Sequence, residues 1–263
     1  MNFIFPTKTK PVSLTGRACA LNCAHCGRHY LEHMTSTEDM QKAQHGEIAS
    51  VLVSGGCGKN GDVPLLDYEK EITGLKKKYS VVAHTGLFAP ENASRLKGLA
   101  DVVSFDFPPS DDAIRDVFGL EKKREDYIES LSSVMKILPT VPHLTIGING
   151  GKISGENESL KILSSLGLKN IVLNVFVPTP GTRFAERKPP EIAGVHAVIK
   201  EARDRFDTVC LGCVRPAGGY RAELDKLALG IVDGIVMPSK NVMAKIPDAK
   251  IFRECCALWL VAG

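Results

Sequence analysis

Long apolar runs are missing from this sequence, and spanning a bilayer as a helix takes about 20 such residues, so no membrane-spanning segment is expected. The opening Met1-Asn2-Phe3-Ile4-Phe5-Pro6 lacks the basic, apolar, small-residue order of an export signal, so the expected location is the cytoplasm. Charge of one sign is also scarce. A net charge of +3, no dense basic run, one Trp and five Tyr argue against a nucleic-acid surface. No Gly-, Pro- or Ser-rich linker, low-complexity tract or repeat divides the 263 residues, so a single domain over 1–263 is expected. With 44% apolar and 24% charged residues, the composition is that of an ordinary globular chain.

What the sequence does contain is a recurring order: a short apolar run rich in β-branched residues, a loop, then a helix-patterned stretch. The spacing predicts strands at Pro11–Leu14, Ala49–Ser54, Ser80–His84, Val102–Asp106, His143–Gly147, Ile171–Val177, Thr208–Leu211 and Gly234–Met237. Helices are predicted at Asp67–Lys78, Arg124–Leu138, Ser159–Leu166, Glu191–Arg205 and Arg221–Leu229. Strand–helix alternation implies parallel strands with crossovers. The expected class is α/β, a TIM-like (β/α)8 barrel that is closed or nearly closed, with a doubly wound open sheet as the alternative. Loops after the strands carry Gly, Pro, Cys and Asp, as expected at the carboxyl face of a barrel.

Eight cysteines need an explanation in a reducing compartment, where structural disulfides are rare. They fall in clumps: Cys19, Cys23 and Cys26; Cys57; Cys210 and Cys213; Cys255 and Cys256. Clumping fits ligation, whereas buried structural cysteines would be scattered. In Cys19-Ala20-Leu21-Asn22-Cys23-Ala24-His25-Cys26, three thiolates can wrap one cubane, each on a different iron, leaving one iron without a local cysteine. A zinc site completed by His25 or His29 is the competing reading.

The C-x3-C-x2-C spacing directly after the first predicted strand resembles the signature of the radical S-adenosylmethionine (SAM) superfamily. That resemblance implies a 4Fe–4S cluster on Cys19, Cys23 and Cys26, with SAM chelating the open iron and cleaved reductively to a 5′-deoxyadenosyl radical. His25 stands where the family usually has an aromatic residue. Ser54-Gly55-Gly56 resembles the family's Gly-Gly-Glu element, which receives the methionine ammonium of SAM, with Cys57 in place of Glu. Two glycines alone would mean only a turn. Asp106 is a candidate for the ribose hydroxyls, or equally a helix cap. Gly151, Ile153, Gly155 and Glu158 match the G-x-I-x-G-x-x-E segment that flanks adenine. Val175–Thr182 is similar to the sixth-strand segment of biotin synthase and its relatives, which makes Val177 and Pro178 candidate adenine contacts. Pro180-Gly181 would explain itself as a turn.

The likeness is to the biotin synthase and lipoyl synthase branch, and most of all to a component of the two-protein lipoyl synthase. It implies a sulfurtransferase that inserts sulfur at an unactivated C–H bond, with an auxiliary iron–sulfur cluster as sulfur source. The candidate auxiliary ligands are Cys57, Cys210, Cys213, Cys255 and Cys256, although neither family's auxiliary spacing is reproduced. The implied partners are an octanoylated lipoyl-carrier protein or peptide as substrate, a second radical SAM subunit, and a ferredoxin or flavodoxin as electron donor. A C-terminal tail, about 239–263, is expected to close the barrel mouth, where His84, His143 and Tyr220 are polar candidates. Dethiobiotin sulfuration and a carbon-skeleton rearrangement are alternative reactions. A non-catalytic iron–sulfur or zinc scaffold is the alternative from another class.

Overall fold

The computed structural model describes residues 1–42 and 46–262. Its strands are β1 (Asn2–Ile4), β2 (Thr9–Ser13), β3 (Thr35–Ser36), β4 (Ser50–Ser54), β5 (Ser80–His84), β6 (Val102–Asp106), β7 (Thr140–Ile146), β8 (Asn170–Val175), β9 (Thr208–Leu211), β10 (Gly234–Val236) and β11 (Lys250–Phe252). They form one curled, all-parallel sheet in the order β11-β1-β10-β9-β8-β7-β6-β5-β4-β2-β3. Helices Glu69–Lys76, Arg124–Met135, Glu156–Ser165, Ile192–Arg203 and Gly219–Ala228 supply the crossovers that parallel neighbours require. No helix among the described residues is long and apolar enough to cross a membrane.

The expected closed eight-stranded ladder does not form. β1 and β2 end up at opposite ends of the ladder order, β1 on β10 and β2 on β4. They are consecutive in the chain and joined only by Phe5–Lys8, too short a link for neighbouring parallel strands, which need a crossover of a dozen residues or more. The chain itself spans the gap, helped by the Lys8 amide donating to the Arg253 carbonyl at 2.8 Å.

Alternation along the strands splits the core in two. Val51, Val53, Val81, Leu144, Ile146, Ile171 and Leu173 face outward, packing with Leu131, Leu160, Val195 and Leu224 of the helices. Ile4, Val82, Val102, Val141, Val172, Cys210 and Val236 face the concave side. There they meet Cys256, Ala257 and Leu260 of the C-terminal helix Cys256–Val261, which lies against β6, β7 and β8. The tail adds β11 to the sheet edge and packs its last helix into the concave side. Asn170, at the amino end of β8, donates to the Leu260 carbonyl at 2.8 Å, so this helix runs from the mouth downward. Gly234 is required where it stands: a Cβ there would lie 2.6 Å from the Trp259 ring.

Candidate functional site

The first loop after β2 is held on three sides. Backbone amides bind Ala24 in both directions: Ala24 N–H donates to Val117 at 2.7 Å, and Phe184 N–H donates to Ala24 at 3.0 Å. Thr15 hydroxyl donates to Ala18 at 2.8 Å and accepts from Gly56 N–H at 2.7 Å. Ala20 N–H donates to the Cys57 carbonyl at 2.8 Å. The amides of Cys26 and Gly27 turn back onto the Cys23 carbonyl at 3.2 and 3.1 Å. This winding brings Cys19, Cys23 and Cys26 into one neighbourhood. Burial pushes the Cys23 thiol up to about 12, with Cys26 and then Cys19 adding to it. Burial also raises Cys26, against lowering backbone hydrogen bonds at Tyr30 and Arg28.

His25 does not join them as a solvated imidazole. Burial lowers it to about 4, its ring sits edge-on to Phe118 at 5.9 Å, and its Nδ1 is buried without a partner. Tyr30 lies 6.4 Å from it, ring to ring, and its raised phenol, shifted first by burial, feels both Cys26 and Cys213.

At Gly55 and Gly56 the space that a side chain would take is filled by protein. A Cβ on Gly56 would sit 2.0 Å from the Ala18 carbonyl oxygen and 2.5 Å from the Cys19 Cβ, whereas one on Gly55 would meet Thr15 at 3.1 Å. Gly56 therefore lets the end of β4 press against the cysteine loop. Gly151 and Gly155 have φ of +90° and +98°, and a Cβ on either would collide with the carbonyl oxygens of Lys188 and Pro109, at 2.1 and 2.2 Å. Their packing alone accounts for glycine there. Ile153 is 38% exposed, and Glu158 is exposed on its helix. The buried acid of this segment is Glu156, which no motif singled out; its Oε1 accepts from Gly147 N–H at 2.8 Å. Ser54 ends β4 on the concave side, and Val177 and Pro178 lie half-buried after β8.

Asp106 ends β6 beside His84, with Oδ2 3.5 Å from Nδ1. Its carboxylate is 63% exposed, yet it stands in a recess walled by protein. Burial raises its pKa, but the His84 hydrogen bond and charge outweigh that and hold it below the usual value. Burial likewise opposes charge on His84, but Asp106 wins and raises it. His143 is buried and lowered to about 4 by that burial. Its Nδ1 lies 3.2 Å from the Val141 carbonyl and its Nε2 3.9 Å from Cys256 Sγ.

The other cysteines divide. Cys210, Cys255 and Cys256 meet inside the concave side: the Cys255 thiol is raised first by its hydrogen bond with Cys256, and Cys256 first by its hydrogen bond with Cys210. Cys213 reaches solvent in the recess, where burial by surrounding protein and then Cys255 push its thiol up. Cys57 lies beside the first loop. Burial raises it to about 12, and the charges next in importance are Cys19, Cys23, Asp106 and Asp62. Arg215, two residues after Cys213, is a clamp: buried beside Asp225 at 3.1 Å, it also donates to the carbonyls of Gly212 and, at 2.9 Å, Val236. Tyr220 donates to the Pro190 carbonyl at 2.7 Å and so is a packing contact. Among the described residues, no three His, Cys, Asp or Glu side chains stand as placed at metal-holding distance. The donor chemistry nonetheless fits iron, since all three loop donors are thiols, which supply the ligands of iron–sulfur clusters.

No protein-family model matches the sequence, and no curated protein matches it. Solved structures do match in fold. Methylornithine synthase (PylB) superimposes with a TM-score of 0.63 at 11% identity, over 94% of this chain and 84% of that one. Streptococcus suis SuiB bound to S-adenosylmethionine gives 0.55 at 11% identity, over 93% of this chain but 53% of SuiB, so the chain spans about half of SuiB. Hydroxymethylglutaryl-CoA lyase from Pseudomonas aeruginosa gives 0.54 at 11% identity, over 98% and 91%. The chain thus shares a curled, TIM-barrel-like parallel α/β fold that carries different chemistries in different proteins.

Proposed function

We propose that the chain is a radical SAM enzyme that inserts sulfur into an unactivated C–H bond, with an octanoyl chain on a lipoyl-carrier protein or peptide as substrate. The observation that carries the reading is the gathering of Cys19, Cys23 and Cys26 on one buried-walled loop at the carboxyl end of β2. The fold shared with SAM-bound SuiB supports it. A 4Fe–4S cluster held by these thiolates would supply the electron that cleaves SAM and starts hydrogen abstraction. The chain's own part is to position and to exclude water. The loop backbone is strapped to Val117, Phe184 and Cys57, which fixes the segment that carries the three cysteines. Ser54, Asp106, Val177 and Pro178, in or after the carboxyl ends of their strands, are the candidate SAM contacts. Asp106 would orient a hydroxyl there while favouring the protonated form of His84. Cys210, Cys213, Cys255 and Cys256 line the deeper side as candidate ligands for an auxiliary cluster and sulfur source.

Anaerobic reconstitution, with counts of iron and sulfide, tests the reading. Dithionite and SAM should yield 5′-deoxyadenosine. An octanoylated lysine peptide, with and without a second radical SAM subunit, and with ferredoxin or flavodoxin as donor, should yield a sulfur-bearing product by mass spectrometry. Failure to cleave SAM with a loaded cluster would defeat the assignment. A single cubane per chain with SAM cleavage intact would defeat sulfur insertion and leave a rearrangement.

A further inference from the structure

By sequence Cys57 is a candidate auxiliary ligand, and the fold places it beside the loop of Cys19, Cys23 and Cys26. Three contacts do this. The Cys57 carbonyl accepts from Ala20 N–H at 2.8 Å, within the loop itself. The preceding Gly56 lies so close to Cys19 that a Cβ would fall 2.5 Å from the Cys19 Cβ. Gly56 N–H is also held by Thr15, at the loop's base, at 2.7 Å. The strand end and the loop are therefore one rigid unit, with Cys57 carried into it by the register of β4 on β2. The charges that act most on its thiol are those of Cys19 and Cys23, ahead of Asp106 and Asp62.

A cubane has four irons and the loop supplies three thiols. The His25 imidazole, the other nitrogen donor of the loop, sits edge-on to Phe118 at 5.9 Å. We propose that Cys57 is the fourth protein ligand of the cluster held by Cys19, Cys23 and Cys26, and that SAM binds only by displacing it. This rests on the loop holding an iron–sulfur cluster. The exchange moves no electrons: one iron–sulfur bond to Cys57 breaks, the released thiolate takes up the proton that SAM's ammonium gives up, and the resulting amino nitrogen and the carboxylate oxygen bond to the same iron. Cys57 thus acts as a resident competitor that keeps the fourth iron covered between turnovers.

The test compares the full-length, anaerobically reconstituted protein with its Cys57→Ala and Cys57→Ser variants. Iron content is measured first, then the EPR spectrum of the reduced cluster with and without cyanide, and then SAM affinity by equilibrium dialysis. All three proteins should load the loop cluster. Cyanide should leave the wild-type spectrum unchanged and shift that of Cys57→Ala, whose fourth iron is open. SAM should bind Cys57→Ala roughly tenfold tighter, about 1.4 kcal/mol, with Cys57→Ser between. Equal cyanide response and equal SAM affinity in loaded wild type and variants would overturn the proposal while leaving the cluster assignment standing. A wild type that takes up no iron would overturn both. If Cys57→Ala does not fold, the same comparison is read from Cys57→Ser.

Discussion

Gly56 and Cys19 are in backbone contact: a single added carbon on Gly56 would fall 2.5 Å from the Cys19 Cβ and 2.0 Å from the Ala18 carbonyl oxygen. Gly56→Ala must therefore displace the cysteine loop from the end of β4. Overpacking of this kind costs about 1–3 kcal/mol, read by chemical denaturation. Iron uptake should fall with it. Gly55→Ala meets only Thr15, at 3.1 Å, and should change both much less. Equal effects at the two glycines would show that the contact does not organise the loop.

The two cysteine groups should separate by mutation. Cys19→Ala, Cys23→Ala or Cys26→Ala should each abolish SAM cleavage. A Cys210→Ala/Cys213→Ala double variant should keep 5′-deoxyadenosine formation, lose roughly half its iron if both clusters are cubanes, and form no sulfur-bearing product. Iron counts and Mössbauer spectra decide; wild-type iron in the double variant removes those two residues from any auxiliary site.

The pair of His84 and Asp106 has a working range set by opposite shifts. Asp106 is held below the usual carboxylate range, so its stabilising contribution is present above the unfolded-state pKa and is lost as pH falls through the folded one. His84 is raised above 6.5, so its contribution is full below that value and is lost as pH rises through the folded pKa. Asp106→Asn leaves burial as the main influence on His84, which should then titrate lower than in the wild type. The imidazole resonances of His84 in an NMR titration report this, and an unmoved pKa would disprove the coupling.

Arg215 and Asp225 form a buried ion pair in which Asp225 also accepts from Ser239 N–H at 2.7 Å. Asp225→Ala leaves a buried guanidinium unpaired and should cost about 3–5 kcal/mol in a denaturant melt. The loss should include the geometry of the Cys213 loop, because Arg221 donates to the carbonyls of Cys213 and Arg215 at 3.3 and 3.0 Å.

Trp259 is the only tryptophan and lies on Gly234, so intrinsic emission reports the C-terminal helix directly. Gly234→Ala should shift that emission, and Leu260→Ala should destabilise the fold by about 2–5 kcal/mol. Emission unchanged in Gly234→Ala would mean the helix does not pack there.

Much of this molecule could be read from one dimension. The strands Ser80–His84, Val102–Asp106 and Thr208–Leu211 stand where the β-branched runs predict, because a buried parallel strand writes its apolar content contiguously in the chain. The spacing of Cys19, Cys23 and Cys26 likewise falls within a single loop, and its chemistry is local. The three-residue strands β1 and β11, and with them the open ladder, carry no such periodicity, being too short for a pattern. Cys57 and the group of Cys210, Cys213, Cys255 and Cys256 are parted by strand register and by a helix turned into the concave side, contacts between residues up to hundreds of positions apart. The glycines show the same division. Their conformational freedom is legible in the letters, but whether a ligand or a carbonyl fills the space beside Gly56, Gly151 and Gly155 depends on which distant backbone the fold brings there.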